Sequence, residues 1–167
     1  LASYGSEDFK ELRNAQHQFA LENPNSAMAV IMDCGEENDI HPKDKTTPAH
    51  RLALAARNKV YGHTDIEYKY PYATGFAVDG STVTVTFADV YDGLECSGEV
   101  AGFKLCGSDG VFYDATAVIA SKNTVKVTCD EVSAPAGVSF GYEAFPNPVL
   151  NLYNSADIPA CPFIMLP

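Results

Sequence analysis

One stretch limits this chain more than any other. Ala27-Met28-Ala29-Val30-Ile31-Met32 is a continuous apolar run, the pattern of a strand covered on both faces. Helical patterns flank it. Asp8 is placed as an N-cap with Glu11 three residues on, and Phe9, Leu12, Ala15, Phe19 and Ala20 recur at helical spacing until Asn23-Pro24-Asn25 ends the pattern. A second helix is predicted after Thr46-Thr47-Pro48, carrying Leu52, Ala55, Ala56 and Val60 to a stop at Tyr61-Gly62. One strand between two helices is not a stable sheet. A parallel strand must be hydrogen-bonded to neighbours, and no later segment alternates with helices as a βαβ unit requires. Residues 1–63 are therefore expected to be an α/β remnant, the end of a larger parallel sheet whose other strands lie outside this chain.

From about Thr64 the period changes to two. Ser81 to Ala88 puts Val83, Val85 and Phe87 on one face and Thr82, Thr84 and Thr86 on the other, and Asp79-Gly80 supplies a hairpin turn from the preceding segment. Ala101 to Leu105, Val111 to Tyr113, Ala115 to Ala120, Thr124 to Cys129 and Gly137 to Tyr142 continue the series between turn signals. Residues 64–167 thus read as an antiparallel β-sandwich-like domain. Phe145 to Pro167, rich in proline, is expected to be an extended strap over its surface.

Eleven Lys and Arg against 22 Asp and Glu leave a net charge of −11, which repels polyanions at long range and argues against nucleic acid or an anionic membrane surface as a partner. No apolar run approaches the ~20 residues that span a bilayer, and Leu1 to Asp8 has neither the basic nor the apolar region of a signal peptide. Five cysteines, Cys34, Cys96, Cys106, Cys129 and Cys161, form no CxxC pair, which argues against structural zinc. Cys96 and Cys106 are spaced to close a short disulfide loop in an oxidising compartment; free buried thiols fit the sequence equally well.

The chemistry-bearing candidate is His41. In open α/β sheets the working groups lie in loops beyond the carboxyl ends of strands, and His41 follows the apolar run by a short polar loop. Pro42 restricts His41 to extended backbone angles. Asp39, two residues before, is placed to accept the ring proton and stabilise an imidazolium. An ordinary solvent-facing loop histidine carries the same signature. Asp33, Glu36, Glu37, Asp39 and His41 match no metal-loop spacing, and a solvated acidic loop is the simpler reading. His50 and His63 read as surface groups and His17 as an exposed helix position. Tyr68, Tyr70 and Tyr72 alternate with Lys69 and Pro71, either as an aromatic platform for a sugar ring or, more simply, as an amphipathic strand at the junction of the two parts.

Leu12-Arg13-Asn14-Ala15-Gln16, Met28-Ala29-Val30, Asn38-Asp39-Ile40-His41-Pro42-Lys43-Asp44-Lys45, Arg51-Leu52-Ala53-Leu54-Ala55 and Tyr61-Gly62 together resemble the last segment of the catalytic domain of the sialate O-acetylesterases, which are SGNH-type serine esterases. Ala101-Gly102-Phe103, Phe112-Tyr113-Asp114-Ala115, Asn151-Leu152-Tyr153-Asn154 and Ile158 to Phe163 resemble that family's C-terminal β region. The resemblance implies that His41 is the general base of serine acyl transfer. It also implies that the substrate is an O-acetylated sugar such as sialic acid, that no cofactor is needed, and that the protein is periplasmic or secreted. The wider superfamily places an aspartate three residues before the histidine; here that position is Asn38 and the carboxylate is Asp39. The family's nucleophilic serine block and its oxyanion-hole residues precede the matched region, so an upstream segment or subunit is expected to supply the serine, and the chain alone is expected to be inactive. A competing expectation is a noncatalytic β-sandwich that binds carbohydrate or a neighbouring protein.

Overall fold

The computed structural model describes residues 2, 4, 5 and 8–166. Two helices precede ten strands: α1 (Lys10–Glu22), α2 (Thr46–Lys59), β1 (Tyr72–Asp79), β2 (Thr82–Ala88), β3 (Leu94–Cys96), β4 (Phe103–Cys106), β5 (Phe112–Asp114), β6 (Thr116–Ser121), β7 (Thr124–Thr128), β8 (Gly137–Phe140), β9 (Leu152–Asn154) and β10 (Phe163–Met165). The strands form two four-stranded antiparallel sheets, ordered β1-β2-β7-β6 and β10-β8-β4-β5, and a small β3-β9 ribbon.

The period-two pattern becomes the core directly. Val83, Val85 and Phe87 of β2 and Val125 and Val127 of β7 are buried, as are Phe103, Leu105, Val138, Phe140 and Phe163 of the second sheet. Phe87 meets Phe163 edge to face with ring centres 6.0 Å apart, and Phe103 packs on Phe140 at 4.9 Å. The hairpin turns at Gly80, whose φ of +59° is the left-handed conformation such a tight turn requires.

Three expectations change. The tail is not a strap: β10 pairs with β8 at a sheet edge, β9 pairs with β3, and Leu152 and Phe163 enter the core. Short strands of three residues carry too little alternation to stand out, and the prolines lie between them. The run from Ala27 to Met32 forms no strand, because a ladder needs a partner and the described residues supply none; Met32 instead opens a 3₁₀ turn (Met32–Cys34). His17 is not exposed. It is buried with Arg13 on the face of α1 that meets the β part, while Leu12 and Phe19 are 49% and 60% exposed. The five cysteines are free, Cys96 and Cys106 included.

Candidate functional site

His41 sits on the loop between the 3₁₀ turn and α2, and local hydrogen bonds set that loop's shape. Glu36 and Asp39 form an isolated bridge, with the Asp39 N–H donating to the Glu36 carbonyl at 3.3 Å. The Lys43 N–H donates to Glu36 Oε1 at 2.7 Å. Asp39 Oδ1 accepts the main-chain N–H of His41 at 2.8 Å, a short-range aspartate turn that fixes the backbone carrying the imidazole. The structure therefore brings together the two residues singled out in the sequence. Their contact runs through the main chain of His41, and its ring is exposed, with no hydrogen bond among the described residues.

Both ends of the loop are anchored. At the far end Asp44 Oδ1 accepts the N–H groups of Thr46 and Thr47 at 3.0 and 3.1 Å, capping α2. At the near end Arg51 donates to both oxygens of Asp33, at 2.7 Å each, and to the Val30 carbonyl at 2.9 Å. Burial would raise the Asp33 carboxyl, but its bonds to the Arg51 guanidinium and to the Tyr153 hydroxyl outweigh that and hold it below the usual range. Burial, with the Asp33 carboxylate beside it, pushes the neighbouring Cys34 thiol up to about 11 against the opposing charge of Arg51, so it stays protonated. Asp33, Asp44, His50, Arg51, Tyr153 and Asp157 line a polar cleft of about 410 Å³ beside this anchor. The sequence reading did not single out Asp33, Arg51 and Tyr153 as a unit. The available signal was Asp33 as the first polar residue after the apolar run and Arg51 one turn into the next helix.

The alternating tyrosines divide their labour at the junction. Tyr70 is buried and its hydroxyl lies 3.0 Å from His17 Nδ1, Tyr72 opens β1 against the same imidazole, and Lys59 Nζ lies 5.9 Å from the Tyr68 ring centre. Burial drives the His17 imidazole below its ordinary value. Among the described residues no group of three His, Cys, Asp or Glu side chains is arranged to hold a metal ion, and no helix is long and apolar enough to cross a membrane.

The elements define a class: two helices and a histidine-bearing loop fastened to an antiparallel β assembly. No family model matches the chain. Sialate O-acetylesterases from Homo sapiens and Rattus norvegicus are each 44% identical to it over 52 residues, which is 29% of this chain and 10% of those proteins. A carbohydrate acetylesterase from Xanthomonas citri superposes on 99% of the chain with a TM-score of 0.90 and 35% identity, and the chain covers 39% of that protein. The chain is thus similar, in sequence and in structure, to part of the sialate O-acetylesterase type of carbohydrate esterase. It spans about a tenth of the curated relatives and well under half of the structural neighbour.

Proposed function

We propose that this chain is the portion of a carbohydrate O-acetyl esterase that carries the general base, His41, with Asp39 as its orienting acid. The observation that carries the reading is the exposed His41 ring on a loop clamped at both ends, in a chain of which 99% superposes on part of a carbohydrate acetylesterase. In this reading residues 1–63 belong to the α/β catalytic unit and residues 64–167 form the β unit beside it. A polypeptide outside this chain supplies the nucleophilic serine.

His41 takes the serine proton as the oxygen attacks the acetyl carbonyl, and passes it to the departing sugar oxygen, which leaves as a hydroxyl. It then deprotonates the water that attacks the acetyl-serine and returns that proton to the serine oxygen as acetate leaves. Asp39, fixed to the His41 main chain, stabilises the imidazolium formed at each step. The substrate is an O-acetylated sugar such as sialic acid, and the hydrolysis draws on no cofactor. The test is acetate release from a chromogenic acetyl ester by the chain joined with the catalytic remainder of a relative. His41→Ala is expected to lower kcat by at least about a thousandfold. An unchanged rate would remove His41 from the mechanism.

A further inference from the structure

The His41 loop is tied off at its root. Asp33 and Arg51 bracket residues 34–50, and the two nitrogens that Arg51 donates, at 2.7 Å each, close that stretch with His41 near its middle. A third donor reaches the same carboxylate. The Tyr153 hydroxyl donates to Asp33 Oδ2 at 3.0 Å, and it comes from β9, in the β unit. Of the hydrogen bonds that residues 33–51 make among the described residues, this is the one shared with residues 64–166.

Tyr153 reaches out from a fixed base. Its main chain pairs with Glu95 of β3 and also bridges to Pro159, and its neighbours Leu152 and Asn154 are each 1% exposed. Burial, with the Asp33 charge beside it, pushes the Tyr153 hydroxyl above its ordinary pKa, so it remains a donor. Arg51 and Tyr153 therefore act differently on the loop. The Arg51 fork sets the loop's root against α2, on which the loop itself ends, whereas the Tyr153 hydroxyl sets it against the β unit.

We propose that Tyr153 is a positioning residue for the general base: by holding Asp33 against the β unit it fixes the root of the loop, and so the place from which the His41 imidazole reaches the serine. The proposal rests on the esterase reading above. It gives the β unit a part in catalysis that needs no contact with substrate. A base must lie within hydrogen-bond reach of the proton it removes, and a misplacement of ~1 Å can cost about a hundredfold in rate. Tyr153→Phe removes the hydroxyl but leaves the ring and the Arg51 fork, so its effect is expected to be smaller.

Amide exchange in the purified chain tests the coupling apart from any activity. His41 and Lys43 give their N–H groups to the side chains of Asp39 and Glu36, and in Tyr153→Phe both amides are expected to exchange at least about threefold faster. Val125→Ala is the control. Val125 is fully buried in β7, pairs with Val85 and Ile119, and shares no hydrogen bond with the loop, so its truncation weakens the core and is expected to leave the two amides as in the parent. Equal acceleration in both folded variants, or none in Tyr153→Phe, overturns the proposal.

Kinetics of the chain joined with the catalytic remainder of a relative then tests the positioning. At a temperature where each variant is folded, Tyr153→Phe is expected to lower kcat about tenfold with KM unchanged, because a displaced base weakens the transition state alone. Val125→Ala should match the parent in both constants. In a His41→Ala background Tyr153→Phe should cost nothing further, since no base is left to position. A parent kcat in Tyr153→Phe, a rise in KM in place of the loss in kcat, or the full loss in the His41→Ala background overturns the role. An assembled enzyme indifferent to His41→Ala removes the esterase reading and the base with it, while the exchange result separately decides whether Tyr153 holds the loop.

Discussion

The Tyr153 hydroxyl donates to Asp33 Oδ2 at 3.0 Å, joining residues 120 positions apart. The carboxylate it reaches is the one that Arg51 grips with two nitrogens, so strand β9, helix α2 and the root of the His41 loop meet at one anion. The side chains of Arg51 and Asp33 are only 10% and 11% exposed, which places the pair where removing one partner strands the other. Arg51→Met is expected to cost about 3 kcal/mol in urea unfolding. Tyr153→Phe is expected to cost about 1 kcal/mol, and the double variant less than the sum of the two, because both act on one carboxylate. Strict additivity would show that Tyr153 and Arg51 do not act through Asp33.

Asn154 is a second tie. Its side chain, 1% exposed, donates to the carbonyls of Lys69 and Asp89 at 2.9 and 3.0 Å and accepts from the N–H groups of Ala156 and Ile158 at 3.2 and 3.1 Å. Asn154→Ala leaves four main-chain groups short of a partner and is expected to lower stability by about 3 kcal/mol. Asn154→Asp keeps the acceptor and loses both donations, so it should fall as far or further. An unfolding midpoint within error of the parent for Asn154→Ala would show that water replaces the amide.

Stability should depend on pH through His17. The unfolded imidazole titrates near 6.5, and burial puts the folded one lower. Between those two values the unfolded chain binds the proton first, so stability is full above about 6.5, falls as pH drops below it, and levels off once the folded imidazole protonates. Asp33 acts in a separate window: its contribution is present above 3.8 and is lost only as pH falls through its lower folded value. The urea midpoint should therefore fall between pH 7 and pH 5 in the parent and fall less in His17→Phe. Equal falls in the two proteins would refute the assignment.

Much of the β part was legible, and the reason is local. Val83, Val85 and Phe87 alternate with threonines over a full strand, so one face had to be covered, and Gly80 marked the turn. Strands β3, β9 and β10 escaped because three residues show little alternation and each is defined by its distant partner; β5, equally short, was legible only because the Ser108-Asp109-Gly110 turn sets it off from β4. Helix α1 was legible as a helix and misleading as a surface. Its spacing identifies the apolar stripe, but not that the buried face is the one bearing Arg13 and His17. Its hydrophobic residues mark the side turned away from the rest of the chain. The nearness of Asp39 to His41 follows from their two-residue spacing, but the bond Asp39 accepts comes from the His41 main chain and not from the ring proton the sequence suggested, whereas the Arg51–Asp33–Tyr153 anchor spans three distant segments and has no sequence spacing to announce it.

The Asp39 carboxylate has one observed contact and one proposed duty, and the two are separable. One oxygen holds the His41 main chain, and the proposed duty is to stabilise the charged ring during acyl transfer. Asparagine retains a carbonyl oxygen for the main-chain bond and loses the charge; alanine loses both. If Asp39 is the orienting acid, Asp39→Asn and Asp39→Ala in the assembled esterase both lower kcat by at least about a hundredfold with KM little changed, since the missing stabilisation arises only as the imidazolium forms. The alanine variant should also loosen the loop, seen as faster amide exchange at His41. An Asp39→Asn enzyme that turns over at the parent rate would restrict Asp39 to holding the loop and send the search for the acid to the polypeptide that brings the serine.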